Sequence, residues 1–93
     1  MVTAADAYRF GLVNHVVPQA ELLEFTKSLA QRIIKNSSVA IGQAIKAVNA
    51  NFKDGVDGFE TEIKSFGKCF GTADFKEGTT AFLEKRKADF KGN

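Results

Sequence analysis

Val56-Asp57-Gly58-Phe59-Glu60-Thr61-Glu62-Ile63-Lys64-Ser65-Phe66-Gly67-Lys68-Cys69-Phe70-Gly71 sets Val56, Phe59, Ile63, Phe66 and Phe70 three or four residues apart. That spacing puts them on one face of an α-helix. Glu60 and Lys64 stand four apart on the polar face, in the favourable order for an ion pair. Gly71 ends the helix. Reading outward gives more elements of the same kind. Toward the N-terminus, Ile41, Ile45, Val48 and Phe52 predict a helix that Ser37 or Ser38 can cap and that Asp54-Gly55 breaks. Before it, Pro18 suits a first helical turn, and Leu22, Phe25, Leu29 and Ile33 make the apolar stripe. Asn36 reads as a left-handed C-terminal cap. Toward the C-terminus, Asp74 followed by Glu77 reads as a capping box. Phe75, Thr79, Phe82 and Arg86 then fall on one line, with Leu83 and Phe90 beside it. Gly78 inside this helix costs ~1 kcal/mol relative to Ala, so its presence points to close packing or a backbone approach. The phenylalanine stripes read as core.

The first 17 residues differ. Ala4 to Phe10 predict a short helix ended by Gly11, and Leu12 to Val17 are β-branched and apolar enough for a strand. Nothing later in the chain offers that strand a partner, and a lone strand cannot satisfy its own backbone groups. The expectation is an all-α chain of about four helices preceded by one orphan strand segment. Residues 1–18 form the N-terminal part and residues 19–93 the helical domain. Short connections favour antiparallel neighbours.

Composition narrows the function. The 93 residues are 44% hydrophobic, and 13 Lys+Arg against 11 Asp+Glu leave a net charge of +2. Such a chain is not disordered by composition and fits one small domain. No apolar run is long enough to span a bilayer. Asp6 and Arg9 interrupt the first ten residues, so they do not read as a signal peptide. A soluble, cytoplasmic protein is expected. The single cysteine, Cys69, excludes an internal disulfide and a multi-cysteine zinc site. No metal site is expected. Cys69 and the single histidine, His15, read as structural. Gly55-Val56-Asp57-Gly58 lacks the lysine of a phosphate loop. Glu21, Glu24, Glu60, Glu62, Glu77 and Glu84 sit among lysines and read as solvated surface charge. Lys85-Arg86-Lys87, with Lys91 nearby, reads as a solvated helix end that complements the helix dipole. The cluster is too short for a nucleic-acid-binding face, so nucleic acid is not an expected partner. No residue reads as catalytic.

Two longer motifs then stand out. Ala7-Tyr8-Arg9-Phe10-Gly11-Leu12-Val13-Asn14-His15-Val16-Val17-Pro18 opens the chain, and Glu21-Leu22 and Leu29-Ala30 continue it. Phe66-x-x-x-Phe70-x-Thr72-x-Asp74-x-x-Glu77-Gly78 leads into Ala81-Phe82-Leu83-Glu84-Lys85-Arg86-Lys87-Ala88-x-Phe90. Together they resemble the C-terminal region of the crotonase (enoyl-CoA hydratase/isomerase) superfamily, and the last resembles hydratases in particular. The resemblance covers essentially the whole chain. Ser38 stands where the family often has Pro, and it can still begin a helix.

The resemblance implies that residues 1–18 are a remnant of the crotonase core, with Leu12–Val17 as its last strand. It implies that residues 19–93 are the helical trimerisation region. The parent would be a lyase of fatty-acid or butyrate metabolism that hydrates a 2-enoyl-CoA or dehydrates a 3-hydroxyacyl-CoA. Its two catalytic glutamates and its oxyanion-binding backbone would precede Met1, leaving this chain alone inactive. No cofactor is implied; the coenzyme A thioester is the substrate. The implied partners are an acyl-CoA and further copies of the chain, as a homotrimer or dimer of trimers, with no membrane and no nucleic acid. By motif position, Phe66 and Lys85 correspond to CoA-binding residues near the adenine and phosphates. The alternatives are a stand-alone helical interaction module derived from the family, or part of an enoyl-CoA isomerase.

Overall fold

Thr3 opens the first helix: its hydroxyl accepts a hydrogen bond from the Asp6 N–H at 3.1 Å, and α1 (Ala4–Arg9) follows. The computed structural model describes residues 1–93. Gly11, at φ 75°, supplies the left-handed residue after α1. The Leu12 N–H reaches the Ala7 carbonyl at 2.8 Å and the Gly11 N–H the Tyr8 carbonyl at 3.0 Å. These are the two crossed bonds of a Schellman stop. Residues 12–17 then form no strand. The expected strand fails for the stated reason: no second strand is present to bond its backbone. Pro18 precedes a single 3-10 turn (Gln19–Glu21), and α2 (Leu22–Ile33) follows directly. Phe25 of α2 meets His15 edge-on, with ring centroids 5.1 Å apart.

The chain divides into two compact units, Met1–Arg32 and Ile33–Asn93. The first therefore holds α1, the loop and nearly all of α2. Asn36 does not adopt the left-handed conformation expected of it; Lys85 is the non-glycine residue with positive φ. Asn36 instead donates its side-chain amide to the Ile33 carbonyl at 3.1 Å. The Asn36 backbone N–H reaches the same carbonyl at 3.1 Å, so the helix end is bonded without a change of backbone hand.

In the second unit, Ser37 caps α3 (Ser38–Ala50), accepting from the Ala40 N–H at 3.3 Å. Asp57 caps α4 (Gly58–Phe70), accepting from the Glu60 N–H at 3.0 Å. Lys64 and Glu60 pair at 2.6 Å, as their spacing predicts. Thr72, not Asp74, caps α5 (Ala73–Leu83), accepting from the Phe75 N–H at 3.1 Å. The architecture is thus all-α, as expected: α1 is the short N-terminal helix and α2 to α5 are the four helices of residues 19–93.

The burial pattern overturns one expectation. The buried residues are small or polar: Ala50, Ala81, Ser37, Ser65 and Asp74. α3 packs chiefly on α4, and α4 also meets α5. At the turn between α3 and α4 the backbones nearly touch; a Cβ on Gly58 would stand 3.3 Å from the Asn51 Cα. The large apolar stripes face outward. Phe59 is 80% exposed and Phe82 82%, and Ile45, Val48, Phe52, Ile63 and Phe70 are exposed as well. They are not the core of this unit. Small residues let α3 and α4 approach closely, so their contact does not draw on the large apolar side chains.

Candidate functional site

Phe66 lies on α4 with 66% of its surface exposed. It begins an aromatic row. Its ring centroid is 5.0 Å from that of Phe70 in an edge contact, and Phe70 is 4.5 Å from Phe75 of α5. The other side of Phe66 borders an open groove of about 610 Å³ between α3 and α4, walled by Ala40, Ala44, Ala47, Val48 and Cys69. Gln43 lines it too, and its Oε1 is enclosed with no hydrogen-bond partner. Cys69 is half-buried, and its thiol is turned to the Ser65 carbonyl at 3.4 Å. An exposed phenylalanine face beside an apolar groove can cover a flat aromatic ligand.

Lys85 stands beyond the end of α5, not within a basic helix end. α5 stops at Leu83, and Lys85 adopts φ 54°. The Arg86 N–H reaches the Ala81 carbonyl at 3.0 Å and the Lys85 N–H the Phe82 carbonyl at 3.2 Å. The stop is the same as at Gly11, with lysine in the glycine position. The Lys85 ammonium takes no part in an ion pair, whereas both its neighbours do. Arg86 joins Glu84 at 2.6 Å through Nε. Its two terminal nitrogens meet the two oxygens of Glu77 at 2.6 and 2.9 Å.

The two acids expected to form a capping box instead tie down the chain after α5. Asp74 is 3% exposed. Its carboxylate accepts from the Ser37 hydroxyl at 2.6 Å, from the Lys91 N–H at 2.9 Å and from the Gly92 N–H at 3.1 Å. The Asp74 N–H donates to the Asn93 carbonyl at 2.8 Å. The Ser37 hydroxyl, first of all, and the tail N–H groups hold its carboxyl below the ordinary 3.8, against an opposing effect of burial. Glu77 also accepts from the Asp89 N–H at 2.8 Å. The Arg86 guanidinium, and then that N–H, hold the Glu77 carboxyl down to about 2. In return Arg86 is pushed further up. Glu77 is therefore not the solvated surface charge its sequence context suggests. Sequence reasoning missed this clasp because its partners lie nine to 37 residues apart, outside any helical period.

No group of three or more His, Cys, Asp or Glu side chains is placed to hold a metal ion. No helix is long and apolar enough to cross a membrane.

The profile of the enoyl-CoA hydratase/isomerase family matches residues 1–93. The chain is 44% identical over 91 residues to a crotonyl-CoA hydratase of Syntrophomonas wolfei, across 97% of this chain and 35% of that protein. It is 42% identical over 91 residues to a mitochondrial enoyl-CoA hydratase of Pongo abelii, across 97% and 31%. The crystal structure of an enoyl-CoA hydratase from Bacillus anthracis superposes with a TM-score of 0.87 at 33% identity, across 97% of this chain and 35% of that one. The chain spans about a third of the length of the curated relatives it matches.

Proposed function

This chain belongs to the enoyl-CoA hydratase/isomerase family, and we propose that it serves as the C-terminal region of a hydro-lyase that adds water across a 2-enoyl-CoA. The observation that carries this is the near-complete match of the chain to about a third of enoyl-CoA hydratases. In this reading the 93 residues contribute no catalytic group. They supply an assembly surface and one edge of the CoA site. Phe66 lays its exposed face on the adenine, and the unpaired Lys85 meets a phosphate as a compact point charge. The bare stripes of α3, α4 and α5 support the assembly role, since apolar area of that extent marks a surface that another protein surface covers.

The test is hydration of crotonyl-CoA, followed by loss of the conjugated thioester. The 93-residue chain alone gives background rates, and the intact protein that carries it gives turnover. Hydration by the isolated chain above background overturns the assignment of catalysis to other residues. Absence of turnover in the intact protein overturns the hydratase reading. A stand-alone helical interaction module is the second reading. The same exposed stripes favour it, and it is separated from the first by that lack of turnover.

A further inference from the structure

We propose that Glu77 is a positioning residue for Lys85: by gripping Arg86 and the tail it holds Lys85 in its left-handed conformation and aims the ammonium at the CoA phosphates. This rests on the reading of Lys85 as a CoA contact.

The residue at position 85 is an unusual choice for its backbone conformation. The chain uses the same helix stop twice, with glycine at Gly11 and lysine at Lys85. A left-handed lysine is disfavoured because its Cβ crowds the following carbonyl. Nothing in the stop itself needs a side chain there. Strained residues of this kind persist where their surroundings fix them and where the strain serves a site.

The surroundings do fix it. Both flanking residues are immobilised by charge. Glu84 and Arg86 pair with each other, and Arg86 presents its planar fork to both oxygens of Glu77. A fourth Arg86 contact, from Nη1 to the Lys87 carbonyl at 3.2 Å, closes the loop on the other side. Glu77 also holds the Asp89 N–H, and Asp74, one turn earlier, holds Lys91 and Gly92. Of residues 84 to 86, only the lysine keeps its charge unpaired. The bonds that consume the charges of its neighbours leave one ammonium free on a fixed backbone. A pre-ordered lysine loses less freedom on binding an anion than one on a mobile tail.

The test is a double-mutant cycle on the dissociation constant for coenzyme A, measured by calorimetry on the intact protein that carries this chain. Lys85→Ala weakens binding about three- to fivefold, the size of one solvent-exposed charge contact. Glu77→Gln weakens it by a similar factor, and that loss vanishes in the Lys85→Ala background. A merely structural role for Glu77 would lower affinity equally in both backgrounds, and that result overturns the proposal. Should Glu77→Gln unfold the protein, Arg86→Lys keeps the charge and removes the fork, and the same comparison decides. If Lys85→Ala weakens binding and neither partner variant does, positioning fails while the CoA contact stands. If Lys85→Ala itself changes nothing, the CoA contact fails and takes the positioning role with it.

Discussion

The ring of Phe90 lies against Gly78, and a Cβ built on Gly78 would stand 3.2 Å from Phe90 Cε1 and 3.4 Å from Cζ. The glycine inside α5 thus admits the tail that folds back over the helix. Two effects oppose each other in Gly78→Ala. The helix gains about 1 kcal/mol from the better helix former, and the ring must shift by a few tenths of an ångström. Melting of Gly78→Ala is expected to change by less than about 1 kcal/mol, because these terms offset each other. Gly78→Leu cannot be accommodated that way. It should expel Phe90 and destabilise by about 1–3 kcal/mol, as overpacking does. Amide exchange at residues 85–93 reads the outcome; protection of the tail unchanged in Gly78→Leu would contradict the contact.

Acid should release the same tail. Glu77 has its carboxyl held down to about 2 in the folded chain, against an ordinary 4.5, and Asp74 is also lowered from 3.8. A lowered folded value means that the unfolded chain binds more protons as the pH falls. The stabilisation is therefore complete above about pH 4.5 and is lost between there and about 2. Thermal melts across that window should show a falling melting temperature. Glu77→Gln should flatten the slope, since it removes one of the titrating groups. An identical slope in the variant would show that Glu77 does not carry the acid sensitivity.

Helix starts and stops were legible where the chemistry is local. Ser37 caps α3, Gly71 ends α4 and Gly11 ends α1, all read from a residue and its neighbours. Gly78 was legible as a close approach, although not what approaches it. The misreadings share one cause, dependence on distant residues. Thr72 caps α5 two residues before Asp74, which frees Asp74 to bond Ser37, 37 positions away. Periodicity located the stripe of Phe59, Ile63, Phe66 and Phe70, but it reports only that a face is apolar. Whether that face is buried depends on a covering surface; α3 and α4 meet through small residues, and Phe70 of the stripe reaches across to another helix, against Phe75 of α5. Phe66 and Lys85 are proposed as CoA contacts from motif position alone; neither periodicity nor charge spacing points to them. The clasp around Lys85 was not, since Glu77 and Arg86 lie on opposite sides of a helix end.

Lys85→Gly should separate stability from binding. Glycine carries no left-handed penalty, so the variant is expected to gain about 0.5–1 kcal/mol in denaturant unfolding. The same variant loses the ammonium and should bind coenzyme A about three- to fivefold more weakly in the intact protein. This is the pattern expected when a strained residue is retained for function. A variant that is less stable than the parent would show that the lysine stem packs rather than strains.

Exposed stripes on α3, α4 and α5 make a prediction about the isolated chain. Phe59 and Ile63 are one turn apart on α4 and both are exposed, as are Phe66, Phe70 and Phe82. Contiguous apolar surface in water favours association because burying each such side chain is worth about 1.5–3 kcal/mol. Sedimentation equilibrium of the 93-residue chain should therefore show a molar mass that rises with concentration. Phe59→Ser combined with Ile63→Ser should lower that mass toward the monomer without unfolding α4. Neither residue supplies the packing between α3 and α4, which rests on small side chains. Far-ultraviolet circular dichroism distinguishes loss of association from loss of helix. A chain that stays monomeric at high concentration would mean that these faces do not attract each other. In that case their exposure would have to be matched to a different surface, and the assembly role assigned to this region would fall.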